Sequence, residues 1–125
     1  MINVRKLAWV GTRTDQAEQT VAFFRDVLGL QADHPTPDFW VLRMADGAKV
    51  EVFGPKDPHN RHFTTGPVVG FLVDDVFTAT DDLHAAGVEI IQEPAAGDSD
   101  GNAWVHFRGP DGNIYEFTQD PGVQR

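Results

Sequence analysis

Hydrophobic and polar residues alternate in two short segments of the chain that lie 65 residues apart. Residues 46–53 read DGAKVEVF, and residues 111–118 read DGNIYEFT. In each segment an Asp-Gly pair typical of a tight turn precedes a strand with one glutamate between apolar residues. Successive side chains on a strand point to opposite faces, so the apolar neighbours can enter a core while Glu51 and Glu116 face the other way. The pattern therefore predicts two repeated strands that direct two carboxylates into one shared space.

The same series of predicted elements precedes each of these strands. Residues 7–15 and 67–75 are apolar strands, which we match with an offset of 60. Each is followed by apolar residues at helical spacing and then by a glycine. The apolar stripes are Ala17, Val21, Phe24 and Leu28 in the first helix and Val76, Ala79, Leu83 and Ala86 in the second. The predicted helix ends are an N-cap at Thr14 or Asp15 with a stop at Gly29, and an N-cap at Asp74 or Asp75 with a stop at Gly87.

Two further strands complete each repeat. Residues 39–43 and 104–108 precede the Asp-Gly turns and form hairpins with the glutamate strands. One more strand is predicted in each repeat, near residues 30–32 and 88–92, and loops are predicted at 33–38 and 95–102. The order strand, helix and three strands thus occurs twice. We predict a single domain over residues 1–125, with module one at about 4–54, module two at about 67–119 and a joint between them at residues 54–67.

Composition narrows the classes of function. A chain of 125 residues buries roughly two thirds of its unfolded surface, and the absence of cysteine excludes disulfides and thiol chemistry. The N-terminus has no apolar stretch of the length of a signal peptide or membrane span, so we expect a cytoplasmic protein without membrane contact. The net charge of -9 argues against nucleic acid as a partner. An acidic surface either steers cationic ligands or only keeps the protein soluble.

Three phrases of the sequence resemble those of the vicinal oxygen chelate superfamily, which includes glyoxalase I, extradiol dioxygenases, fosfomycin-modifying enzymes and bleomycin-resistance proteins. They are FFRDVLGL at 23–30, FLVDDV at 71–76 and GPDGNIYE at 109–116. The resemblance covers nearly the whole chain. It implies an α+β fold of two βαβββ modules that form a curled eight-stranded mixed sheet around a cavity, with the helices outside. It also implies a homodimer, since a second subunit often completes the site in this superfamily.

The resemblance also implies where a metal would bind. Metal-dependent members place a ligand, usually histidine, on the first strand of each module and a glutamate on the last strand of one or both. The glutamate positions are Glu51 and Glu116, whereas the histidine positions are Ala8 and Val68, whose side chains have no donor atom. A catalytic divalent ion normally has about three protein ligands. We therefore expect neither a bound metal nor another cofactor; if a metal does bind, its ligands would be Glu51, Glu116 and His106.

Strand alternation and the resemblance together predict which side chains surround the two glutamates. On the first strand, Ala8, Val10 and Thr12 should share their face, whereas Trp9 should point toward the helices, as should Trp40. The predicted ligand-binding residues are Glu51, Glu116, His106, Trp104, Phe39, Phe53 and Arg108.

Each of these residues also has a purely structural explanation. An aromatic residue on a strand belongs more often to a core than to a ligand site, and a strand histidine such as His106 is more often a satisfied structural group than a base or ligand. Glu51 could form a structural ion pair with Lys49, Arg43 or Arg108. His59 and His62, although spaced like a metal pair, are interpreted as solvated residues of the joint.

Three functions remain open at this stage. The first is a small-molecule binding protein of the glyoxalase and bleomycin-resistance type, without a metal, whose aromatic side chains and carboxylates hold a cationic aromatic drug or antibiotic. The second is a metal-dependent lyase, transferase or dioxygenase of the glyoxalase I type with a displaced metal site. The third is metal-free chemistry with Glu51 or Glu116 as base and His106 as acid. We predict binding, and leave open whether the protein is an enzyme.

Overall fold

The computed structural model describes residues 2–64, 66–94 and 102–119. The strands are β1 (Val4–Arg13), β2 (Gln31–Thr36), β3 (Phe39–Arg43), β4 (Lys49–Phe53), β5 (Val68–Val73), β6 (Ile90–Gln92), β7 (Ala103–Arg108) and β8 (Ile114–Gln119). The helices are α1 (Ala17–Ala22), which continues as a π-helical turn over Phe23–Val27, and α2 (Val76–Ala85). The predicted α+β class, with two βαβββ modules and eight strands of mixed direction, is confirmed. No helix in the described ranges is long and apolar enough to cross a lipid bilayer.

The chain divides into two compact units. One unit is Trp9–Val68, and the other consists of Met1–Ala8 and Val69–Arg125 in their described parts. In the first unit the strand order is β2-β3-β4-β1, where residues 9–13 of β1 run parallel to β4 and the other pairs are antiparallel. In the second unit the order is β5-β8-β7-β6, with β5 parallel to β8. The two units therefore repeat one topology.

Each unit has its own apolar core between a helix and one face of its strands. In the first unit Ala17 and Val21 of α1 pack with Leu42 and Val52. In the second unit α2 packs on β7 and β8 through a larger set of buried residues. Its members are Val73, Val76, Ala79, Leu83, Ala103, Val105 and Phe117. In each unit the core lies on the sheet face opposite to the one that carries the glutamate, as the strand pattern predicted.

The two helices begin differently. The carboxylate of Asp75 accepts hydrogen bonds from the backbone N–H groups of Phe77 (2.9 Å) and Thr78 (3.3 Å), so the predicted cap of α2 is confirmed. The cap position of α1 is Gln16, whose side chain makes no capping hydrogen bond. The prediction of Thr14 or Asp15 as N-cap was therefore wrong. The Thr14 hydroxyl instead accepts a hydrogen bond from the backbone N–H of Gln16 (3.1 Å), which satisfies one donor in the turn before the helix.

The end of α1 also departs from the regular helical pattern. In the π-helical turn, the backbone N–H of Leu28 donates to the carbonyl of Phe23, five residues earlier (3.2 Å). The wider turn shifts the phase of the residues that follow it. Leu28, which we had placed in the buried stripe, is consequently exposed.

The loop predicted at residues 33–38 was largely a strand. β2 extends to Thr36 and contains Pro35, with an irregular register between Asp33 and Thr36. β2 is the outer strand of the order in the first unit, where a proline removes no hydrogen bond to a further strand. The other predicted loop, at 95–102, lies outside the described residues except for residue 102.

Candidate functional site

The face of the first unit that carries Glu51 is defined by its neighbours across the sheet. Glu51 lies directly opposite Gly11 on β1 and Val41 on β3. Residues opposite one another share a face, so Trp9 and Arg13 lie on the side of Glu51. The predictions for β1 were thus wrong by one residue: Val10 and Thr12 belong to the other face.

The cause of this error is the offset between the two first strands. Gly11 lies opposite Glu51 just as Gly70 lies opposite Glu116, and 59 residues separate the two glycines. The helices also begin 59 residues apart. The offset of 60 matched Asp15 with the capping Asp75, but the cap position in the first unit is Gln16. The metal-ligand position that the resemblance implied on β1 is therefore Trp9 rather than Ala8.

Four aromatic rings pack together on this face. The ring of Phe53 lies 6.1 Å from Trp9, 5.0 Å from Phe39 and 5.5 Å from Phe63 between centroids. Phe53 and Phe63 are buried, whereas Phe39 is partly exposed and stacks on Phe53 with 21° between the ring planes. The partly exposed ring of Phe39 therefore packs on a buried ring. Trp9, which we had expected near the helices, instead belongs to this cluster.

Arg13 binds the joint after β4 on the sheet face that carries Glu51. Its guanidinium lies 5.4 Å from the centroid of Phe53 and donates hydrogen bonds to the carbonyl oxygens of Gly54 (2.7 Å), His59 (2.7 Å) and Asn60 (3.0 Å). Burial lowers the pKa of Arg13, while the nearby carboxylate of Asp57 opposes this shift. The pKa of arginine is so high that the group stays charged at neutral pH.

Arg13 and Phe63 were not among the residues predicted for this site. The correct offset would have placed Arg13 on the face of Glu51, because it lies two residues beyond Gly11. No periodic pattern in the joint marks Phe63, whose burial depends on tertiary contacts. His59 in the joint is exposed, and the ring of His62 packs edge-on against Phe63 (5.0 Å).

In the second unit, His106 and Glu116 form a buried pair. They lie directly opposite each other on β7 and β8, and His106 Nε2 is 2.8 Å from Glu116 Oε1. Both residues are buried, and His106 has 0% of its surface exposed. The structure therefore brings together two of the predicted site residues. Such a hydrogen bond orients the imidazole and selects its tautomer.

The remaining predicted residues of the second unit lie on the same strands. Trp104 is opposite Thr118 and is 39% exposed. Arg108 Nε donates to Glu89 (3.3 Å) and Nη1 donates to the carbonyl of Gly112 (2.9 Å), which ties it to the end of the β7–β8 hairpin. These bonds hold the guanidinium of Arg108 at this turn.

The side chains do not fit the metal site that the resemblance implied. The first-strand positions are Trp9 and Val68, neither of which supplies a metal-binding donor atom. His106 Nε2 is already bonded to Glu116. Across the described parts of the chain, no group of three or more His, Cys, Asp or Glu residues could hold a metal ion.

Comparison with known proteins places these observations in a family. Residues 6–117 match the model of the Glyoxalase/Bleomycin resistance protein/Dioxygenase superfamily. A member of this superfamily from Vibrio splendidus 12B01 has a similar structure, with 22% identity, a TM-score of 0.70, and coverage of 94% of this chain and 100% of its own. A search of curated proteins finds no significant match.

Two further solved structures share the fold. The methylmalonyl-CoA epimerase from Mycobacterium tuberculosis has 20% identity and a TM-score of 0.72, with coverage of 93% of this chain and 88% of its own. The Mn(II)-bound glyoxalase from Novosphingobium aromaticivorans also has 20% identity, with a TM-score of 0.73 and coverage of 100% of this chain and 42% of its own. At these identities the likeness shows the fold alone.

Proposed function

The chain belongs to the Glyoxalase/Bleomycin resistance protein/Dioxygenase superfamily, and from this membership we propose that it is a small-molecule binding protein that works without a bound metal. The observation that carries the proposal is the stacking of partly exposed Phe39 on buried Phe53, on the face that also carries Glu51. The ligand is a planar aromatic cation, which includes many drugs and antibiotics.

The aromatic cluster supports such a ligand because its rings are held in place before binding. Phe53 is fixed by Trp9, Phe63 and the guanidinium of Arg13, so Phe39 has a rigid support. A preformed aromatic surface loses little conformational entropy when a planar ring stacks on it. The partly buried carboxylate of Glu51 favours a cation, as does the net charge of -9.

A second candidate function rests on the buried His106–Glu116 pair. A histidine oriented by a carboxylate is a common arrangement for proton transfer, and this favours metal-free acid–base chemistry at the second unit. We place it second because His106 is wholly buried and its Nε2 is engaged by Glu116. Glu116, His106, Trp104 and Arg108 as ligand contacts remain predictions, as does the homodimer.

The proposal is tested by titrating the protein with proflavine, a planar aromatic cation, and with anthracene-9-sulfonate, a planar aromatic anion. At about one hundred times its dissociation constant, proflavine should add roughly 2.7 kcal/mol of stability. Phe39→Ala and Glu51→Gln should each weaken proflavine binding, whereas Phe23→Ala, which removes an exposed ring of the π-helical turn, should not.

Two results would overturn the proposal. One is that a panel of planar cations, proflavine included, leaves both melting temperature and tryptophan fluorescence unchanged. The other is near-stoichiometric metal in protein purified without chelator, lost on Glu51→Gln or Glu116→Gln.

A further inference from the structure

A groove lined by three aromatic rings lies in the second unit, on the sheet face opposite the His106–Glu116 pair. Its rings come from three neighbouring strands: Phe71 on β5, Tyr115 on β8 and Phe107 on β7. Gly109, Pro110 and Asp111 of the β7–β8 turn complete the lining, and the groove has a volume of about 410 Å³. This volume is in the range of small-molecule sites.

The three rings have a regular arrangement. Tyr115 is the middle ring, 6.4 Å from Phe71 and 6.0 Å from Phe107 between centroids, with interplanar angles of 20° and 24°. Phe107 also packs on the core ring of Phe117 at 4.7 Å. The groove is therefore built on the rigid core of the unit. Its lining is mainly ring carbon, whose faces attract cations.

A fixed carboxylate stands at the edge of these rings. Asp111 accepts hydrogen bonds from the Tyr115 hydroxyl (2.6 Å) and from the backbone N–H of Asn113 (3.1 Å). The bond from Tyr115 is the main reason that the pKa of Asp111 is lowered, so the carboxylate is ionised at neutral pH. The nearby cation, Arg108, is paired with Glu89. The edge of the groove thus keeps a negative charge.

The first unit shows that this arrangement is not a requirement of the fold. Its equivalent turn contains Asp46, which accepts a hydrogen bond from the backbone N–H of Ala48 (3.0 Å), as Asp111 does from Asn113. At the positions equivalent to the three rings, however, the first unit has Thr12, Leu42 and Val50. The turn is common to both units, whereas the aromatic groove belongs to one.

We propose that this groove is a second binding site, specific for a small organic cation of the alkylammonium class. The methyl or methylene groups of the cation would pack on Phe71, Tyr115 and Phe107, with its charge beside Asp111. The groove shares no residue with the face that carries Phe39 and Glu51, and this proposal does not depend on the function proposed for them.

The test uses choline and its uncharged carbon isostere, 3,3-dimethyl-1-butanol, with binding followed by amide chemical shifts. Choline should bind more tightly than the isostere, and the largest shifts should fall at residues 107–115. Asp111→Asn should weaken choline binding about threefold, the scale of an exposed charge pair, and Tyr115→Leu by a similar factor through loss of the ring. Asp46→Asn, which removes the same charge from the ring-free turn, should leave choline affinity unchanged.

Three results would overturn this proposal. Equal binding of choline and the isostere would show that the groove does not recognise the charge. Equal effects of Asp111→Asn and Asp46→Asn on choline affinity would show that the attraction comes from the net charge of the protein rather than from Asp111. Groove shifts that depend on protein concentration rather than on choline would identify the surface as a contact between copies of the chain. Phe39→Ala separates the two sites, because it should abolish proflavine stacking without affecting choline.

Discussion

Among single residues, the two equivalent glutamates differ most in what lies opposite them. Glu116 faces His106 across the β7–β8 pair, whereas Glu51 faces Val41 across β3–β4. A buried carboxylate needs a partner that replaces water, and His106 provides one. Glu51 is less buried, so part of its hydration can be retained. We therefore assign His106 the role of stabilising the buried carboxylate of Glu116.

Replacing His106 with the valine of the first unit tests this assignment. His106→Val should lower the free energy of unfolding by about 1–3 kcal/mol, since Glu116 loses a buried hydrogen bond. The double variant with Glu116→Val should be more stable than the sum of the single changes predicts, with a coupling of about 1 kcal/mol or more. Urea denaturation of the parent, the two single variants and the double variant gives the four free energies of unfolding of this double-mutant cycle. If the two single changes add up to the double change, a direct interaction is contradicted.

Gly11 provides a second prediction for a single residue. A Cβ atom at this position would lie 2.6 Å from Trp9 Cζ3 and 2.9 Å from the backbone oxygen of Glu51. Gly11→Ala should therefore destabilise the protein by about 1–3 kcal/mol, the usual cost of overpacking. Val10→Ala, on the opposite face and 36% exposed, is the control and should cost less. Equal thermal stability of Gly11→Ala and the parent would show that the ring of Trp9 moves freely.

The Tyr115–Asp111 hydrogen bond predicts a pH effect. The pKa of Asp111 is depressed in the folded protein, chiefly by the Tyr115 hydroxyl, so its contribution to stability is present at neutral pH and is lost as the pH falls through that pKa. Tyr115→Phe should raise the pKa of Asp111 in a carboxyl ¹³C titration. The pKa of Asp26, lowered by its bond to Arg25, serves as the internal control and should not change. An unchanged titration of Asp111 would contradict the assigned cause.

At the scale of elements, the sequence predicted most of the architecture because the chain repeats it. The alternation in β4 and β8 and the Asp-Gly turns were sufficient for the hairpins, and both turn glycines have positive φ, 89° at Gly47 and 86° at Gly112. The errors arose where one residue changes the direction in which the neighbouring side chains point, at the cap of α1 and at its π-helical turn. A shift of one residue reverses the face of a whole strand, which is why Trp9 was assigned to the wrong side and Arg13 was not predicted as a site residue. The burial of Phe63 could not be predicted, since it depends on contacts with the rings of Trp9 and Phe53.

The helix caps give a matched prediction at this scale. Asp75→Ala removes the side chain that caps α2 and should lower stability by about 0.5–2 kcal/mol. Gln16→Ala changes the equivalent position of α1, whose side chain makes no cap bond, and should have almost no effect. Thermal unfolding of both variants measures the difference. Similar losses for both would show that the cap hydrogen bonds seen in α2 contribute little.

At the scale of the whole molecule, duplication has allowed the two units to differ without a change of topology. The first unit has an aromatic cluster around Phe53 on the face of Glu51, and the second has a buried His–Glu pair on the equivalent face. The second also has a row of three rings on its other face, where the equivalent positions of the first are Thr12, Leu42 and Val50. The repeated strands give both units the same topology, and the residues at equivalent strand positions determine the chemistry of each face.

The excess of negative charge predicts how salt affects the stability of the entire chain. Nineteen Asp and Glu residues against ten Lys and Arg residues give the net charge of -9. The excess carboxylates repel one another more strongly in the compact folded state than in the expanded unfolded state. Raising NaCl from about 0.02 to 0.2 M shortens the screening length to less than about 10 Å, so the melting temperature at pH 8 should rise. At pH 5, close to the sequence isoelectric point of about 4.7, the net charge is much smaller, so the same salt step should raise the melting temperature less. A rise of equal size at both pH values would indicate specific ion binding rather than relief of repulsion.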